Sequence, residues 1–166
     1  MRQVFGRAAL ALALAVAASA CSHGGAGGGE GAAAGQAMAS VPVTVAGAGG
    51  THVFTAELAK SAAQQEKGLM YRTGMKPDQA MLFWPYPAGG GQPVAANFWM
   101  KNTPTALDIV FIRADGTVAR IAENAVPYSE TMIPSGAPVA AVLEIVGGRA
   151  AYLGIVEGDK VSWPGK

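Results

Sequence analysis

The chain has 166 residues, with 12 Lys and Arg against 11 Asp and Glu, and a net charge of +1. No run of basic side chains breaks that balance, so nucleic-acid binding is disfavoured, because contacts to phosphate need clustered Lys and Arg. A single Cys excludes an intramolecular disulfide, and with no CxxC, paired-His or glycine-rich phosphate-loop motif, no metal and no cofactor are expected.

Residues 1–20 read as a signal peptide. Arg2 and Arg7 give a positive start, Ala8 to Ala18 a short apolar run, and Ala18-Ser19-Ala20 small residues before Cys21. The run is too short for a stable membrane span. Small-x-small cleavage would release a soluble periplasmic protein. Ala-Ser-Ala-Cys also resembles a bacterial lipobox, which would make Cys21 the lipidation site of an envelope lipoprotein. The lipid would then be the chain's only membrane contact. Cys21 is the sole cysteine and precedes a Gly/Ala-rich stretch, which favours the lipid; Ala18 stands where lipoboxes usually carry Leu. Residues 21–40 hold too little apolar surface to offset ordering and are expected to be a disordered tether, reaching roughly 25 Å.

Residues 41–166 have the size of one domain. Val41 to Val45 alternates as a strand, Gly47 to Gly50 turns, and Thr51 to Leu58 puts His52, Phe54, Ala56 and Leu58 on one face. Ser61-Ala-Ala-Gln64 has capping-box spacing for a short helix that Gly68 ends. Ala80 to Trp84, Asn97 to Thr103, Leu107 to Ile112, Thr117 to Ala122 and Val139 to Val146 read as strands. A helical turn follows over Arg149 to Leu153, and Lys160 to Trp163 could close the sheet. The spacing predicts a mostly β fold, a single β-sandwich or barrel-like domain with one or two short helices.

The motifs KGLMYR, MLFWP, FWMKNT, LDIVFI, DGTV and VLEIVGG, in that order from about Ala46 to Val161, resemble the domain-of-unknown-function family DUF192. The resemblance implies a compact, sandwich-like β-domain with small helices, often exported in bacteria. It implies no reaction.

The segment Asn97 to Ile112 sets polar groups against the heaviest side chains. Phe98 and Met100 are most simply core. Trp99 beside Lys101 forms either a cation–π pair or a platform for a ligand. Lys101 and Asn102 precede Pro104, where the sheet should end and ligand-facing residues are favoured; otherwise Lys101 is solvated and Asn102 satisfies the turn. A two-residue Asp115-Gly116 hairpin would set Asp108 opposite Glu123. Two opposed carboxylates would share a proton, bind a cation or recruit a base such as Lys101, Arg72 or Arg149, unless a bulge separates them or Asp108 caps backbone N–H groups. Glu144 lies inside an apolar run and either points to the outer face or needs a partner; Arg72 is the candidate partner for Glu144 or for Asp108. Met70, Met75, Met81 and Met100 read as gap-filling core or, less simply, as soft ligands for Cu(I). Pro85 to Pro93 is a loop or a flap carrying Tyr86.

The leading expectation is an envelope domain that binds a small ligand or a partner protein. Its site would lie at the sheet rim, where Trp99, Lys101 and Asn102 meet Asp108, with Arg72, Glu144 and Glu123 nearby. The alternatives are a hydrolase-like enzyme using Asp108 with Glu123 or Glu144 as acid and base, and a structural or interaction module in which these residues form internal networks.

Overall fold

Residues 37–166 are described by the computed structural model; the expected signal peptide, Cys21 and the tether up to residue 36 lie outside the described residues. β1 (Ser40–Gly47) and β2 (Gly50–Ala59) form an antiparallel hairpin turning at Ala48-Gly49. Phe54, Ala56 and Leu58 are buried on one face, as their alternation requires, while His52 at the strand start is only half-buried. α1 (Ala62–Lys67) begins with both arms of the capping box, Ser61 Oγ accepting from Gln64 N at 3.2 Å and Gln64 Oε1 from Ser61 N at 3.0 Å. No residue of α1 is buried, so the cap is joined by a tertiary tie instead. Gln65 Nε2 donates to Ala59 O at 3.0 Å and to Pro85 O at 2.8 Å.

β3 (Gln79–Phe83) runs parallel to β2, the one parallel pair in an otherwise antiparallel sheet. With β5 (Leu107–Ile112), β6 (Val118–Ala125), β8 (Ala141–Val146) and β9 (Lys160–Ser162), the strand order is β6-β5-β8-β3-β2-β1-β9. The sheet curls until its edges meet: Thr117 bridges Lys160, Val161 N donates to Gly116 O at 2.8 Å, and Val118 N donates to Asp159 O at 2.9 Å. The expected closure by residues 160–163 is thus observed. Closure leaves no room at Gly116, where a Cβ would stand 2.9 Å from Val161 O.

Two cores result. Val43, Phe54, Leu82, Val110, Leu143 and Ile145 fill the inside of the barrel. Met81, Phe83, Met100, Ile109, Phe111 and Val142 pack on its outside, beneath a second sheet of β4 (Val94–Phe98) and β7 (Ile133–Val139). Strands buried on both faces read as near-continuous apolar runs, as β3, β5 and β8 do, with β5 and β8 each interrupted by one acid, Asp108 and Glu144. Met81 and Met100, both fully buried, are core fillers here.

Two strand boundaries depart from expectation. Asn97 to Thr103 is not a strand; only Asn97 and Phe98 are, and the chain turns at Lys101-Asn102, with Asn102 at φ 54°. The segment 139–146 breaks at Ala140, and Val139 belongs to β7. β7 carries Pro134, Gly136 and Pro138, which suppress any strand signal and confine it to a small edge sheet.

The hairpin between β5 and β6 also differs. Its loop has three residues, Ala114 to Gly116, closed by Arg113 N donating to Thr117 O at 2.9 Å, with Gly116 at φ 83°. A bulge next restores the expected Val110–Ile121 pair, and a second one, between Leu107–Ala125 and Ile109–Ala122, sets both Glu123 and Asn124 against Asp108. Glu123 is therefore exposed and does not face the buried Asp108 carboxylate. Asp108 Oδ1 accepts from Asn124 N at 2.8 Å and Gly148 N at 2.9 Å, and Oδ2 from Ala150 N at 2.8 Å. These last two donors open α2 (Arg149–Leu153), whose own N-cap, Gly148, has no side chain to offer.

An Asp108→Asn substitution must turn an NH₂ group toward at least one of these N–H donors. It should cost roughly 2–4 kcal/mol, the scale of charge-assisted bonds lost in a buried place, read as a lowered urea midpoint with the unfolding slope unchanged.

Candidate functional site

α1 and the end of β4 stand on either side of an opening in the outer layer. Residues Gly68 to Met70, Phe83 and the loop Tyr86 to Ala88 complete the walls, and the cavity measures about 420 Å³. The Phe83 and Phe98 rings meet edge to face at 5.2 Å, and Tyr86 lies 5.8 Å from Phe98. Burial pushes the Tyr86 phenol above its ordinary value. Gln65 braces the opening, because its side chain links α1 to Pro85 at the loop opposite.

Glu144 of β8 lines the cleft between two apolar neighbours. Its cross-strand partners are Met81 on β3 and Ile109 on β5, both fully buried. Glu144 Oε2 is buried with no hydrogen-bond partner, and the carboxyl forms no ion pair among the described residues. Desolvation pushes the group up from 4.5 to about 8, because the charged form loses its hydration. At neutral pH the carboxyl keeps its proton.

A second depression of about 430 Å³ is lined by Ala63, Lys101 and Asn102, and shares Glu66, Lys67, Met70 and Trp99 with the first. Lys101 Nζ sits 4.9 Å over the Trp99 ring, the cation–π pair that their spacing suggested. Asn102 Nδ2 lies 3.9 Å from Met70 Sδ, and Asn102 O accepts from Tyr71 N at 2.8 Å.

Of the residues singled out by sequence, Glu144 lines the first depression, Lys101 and Asn102 the adjoining one, and Trp99 both. Asp108 does not: it pairs with Ile145 in the ladder, so its side chain takes the barrel-side face, whereas Glu144, paired with Ile109, takes the outer one. Arg72 joins neither acid. Its guanidinium forms a two-pronged pair with Glu57 of β2. Glu123 stays outside, at the bulge. Sequence reasoning passed over Glu66 and Lys67 at the end of α1, and over Phe83 and Thr103; all of them line the cleft. The capping box placed α1 correctly, but nothing local shows which way its last turn faces.

A raised carboxyl binds its proton more tightly when folded than when unfolded. Its stabilising contribution is full below about pH 4.5 and is lost as pH rises through about 8. Within that window the slope approaches about 1.4 kcal/mol per pH unit. Glu144→Gln should remove this component, so the variant gains on the parent as pH rises from 5 to about 8; denaturant curves at several pH values measure the difference.

The DUF192 family model, described as Uncharacterized ACR, matches residues 43–163. A protein of unknown function from Novosphingobium aromaticivorans, solved by crystallography, is 52% identical, with a TM-score of 0.70 over 75% of this chain and 85% of that one. A candidate transcription regulator from Sinorhizobium meliloti is 44% identical, with a TM-score of 0.72 over 78% of this chain and 98% of that one. No curated protein matches the chain.

Proposed function

The chain belongs to the DUF192 family, and from that premise we propose that it is an exported domain that binds a small ligand in the cleft over Glu144. The observation that carries the reading is the buried Glu144 Oε2 atom, left without a partner on an open, aromatic-walled cavity. Buried polar groups are nearly always satisfied, so an unsatisfied one on a residue that lines a cavity points to something that arrives from outside. The cavity volume and its mix of rings with a few polar groups match small-molecule sites. Trp99, with Lys101 over its ring, lines both depressions, and Lys101 and Asn102 offer polar contacts at the second.

The acid–base reading finds less support. Asp108 and Glu144 take opposite faces of the sheet, and Asp108 already accepts three N–H bonds. A structural role describes Asp108 and Arg72 well, and leaves Glu144 unexplained. The regulator description of the S. meliloti protein gains no support here, since basic and acidic residues balance at 12 to 11.

For location, the reading is an envelope protein, held by a lipid on Cys21 or released into the periplasm. Its support is the Arg2/Arg7 start, the apolar run and the small residues before Cys21. Cell fractionation tests it: Cys21→Ser should move the protein from the membrane to the soluble fraction, and an unchanged distribution would count against the lipid.

Binding is tested by a thermal-shift screen of small amphipathic molecules. A ligand at about a hundred times its Kd should add roughly 2.7 kcal/mol of stability. Trp99→Ala should weaken that ligand about tenfold or more, consistent with the loss of a stacking surface. Asp108→Asn should lower the melting point and leave the affinity alone. A screen with no hit, or a hit indifferent to Trp99, defeats the assignment.

A further inference from the structure

We propose that the first depression receives an organic cation, an alkyl- or arylammonium group seated among Phe83, Tyr86, Phe98 and Trp99 with Glu144 as its counter-ion. The inference rests on the ligand-binding reading above and names the ligand class of the same cleft.

The charge inventory leads there. Glu144 forms no ion pair among the described residues, and Arg72, the base expected beside it, is taken by Glu57. Four aromatic side chains, Phe83, Tyr86, Phe98 and Trp99, stand in the same lining, and ring faces are electrically negative and attract cations. A buried carboxyl group beside aromatic side chains favours one kind of guest. A metal ion fits poorly: calcium takes six to eight oxygens and magnesium a full octahedron. Among the described residues no three His, Cys, Asp or Glu side chains are gathered. An ammonium with carbon substituents sheds water more readily and fills an apolar cavity. A neutral donor could meet the carboxyl oxygen, but would leave the ring faces without a charge to attract.

The other titratable groups on the cleft are Glu66 and Lys67 of α1 and Tyr86 of the loop after β3. Lys101 stands in the adjoining depression. β3 carries no titratable residue, and Asp108, the one on β5, lies on the opposite face. Glu144 is thus the group that must change protonation when a cation enters. The carboxyl O–H breaks, the proton leaves to solvent, and the ammonium pairs with the carboxylate. One proton is released for each cation bound.

Titration calorimetry of the protein with benzyltrimethylammonium, benzyl alcohol and benzoate, in buffers of different ionisation enthalpy, tests this. The ammonium should bind, with affinity rising about tenfold per pH unit from about pH 6 to 8 and then levelling, as the competent carboxylate fraction grows. About one proton should appear per ligand across the rising range. Glu144→Gln should melt no lower than the parent, yet lose about tenfold or more of the affinity at pH 8 together with its pH dependence. Benzyl alcohol binding as tightly as the ammonium, or affinity falling as pH rises, overturns the cation while leaving a ligand site. No binding of any of the three, alongside hits in the thermal screen, overturns it alone; a screen without hits removes both readings.

Discussion

The constraint on which the structure turns is a trio of central strands, β3, β5 and β8, buried on both faces and carrying one carboxyl group to each. Asp108 on β5 and Glu144 on β8 sit on neighbouring strands, one residue out of phase, so alternation sends them to opposite sides. Both are buried, at 0% and 5% exposure. They differ only in what meets them. The inner acid accepts three backbone N–H groups at 2.8 to 2.9 Å. The outer one meets Met81, Ile109 and an opening. A buried carboxylate without partners would cost several kcal/mol if ionised, and retention of its proton is how the fold tolerates it.

The satisfied acid depends on irregular backbone. A regular hairpin would have set Glu123 across from Asp108, with repulsion between them. The bulge moves Glu123 to solvent and turns the Asn124 N–H inward, with Asn124 at φ 48°. The Gly147-Gly148 turn brings α2 over the same carboxylate. A Cβ on Gly147 would stand 3.0 Å from Ala106, and Gly148 holds φ 78°, which only glycine adopts without strain. Two bends in the chain thus converge on a single side chain, which locks β5, β6 and α2 together.

What the sequence revealed follows the range of each signal. The Ser61–Gln64 box, the β1–β2 hairpin, the bounds of β5 and the Trp99–Lys101 contact depend on neighbours a few residues apart, and all were legible. Beside Asp108 the sequence offered a facing Glu123, a bulge or capping of backbone N–H groups, and the structure has the bulge and the capping; alternation alone records a strand's faces and does not locate an inserted residue. Asn97 to Thr103 misled for a related reason: Phe98 and Met100 have strand spacing, yet Met100 reaches the outer core from a turn. Glu144 could be flagged as an acid in an apolar run. Its lack of a partner could not, since that depends on β3 and β5 being its neighbours, a non-sequential order in which neither flanking residue is a base.

The opening itself follows from where the second sheet stops. β4 and β7 lie over the outer core that contains Ile109, Phe111 and Val142, but β4 ends at Phe98, and the next residues turn away as the wall of the cleft. On the far side α1 has no buried residue of its own and is fixed through Gln65 to Ala59 and Pro85. A helix held by hydrogen bonds at its edge keeps a gap that apolar packing would have closed. The same brace thus stands across the cavity from the loop it ties, and the carboxyl of Glu144 in the cavity's lining stays unpaired.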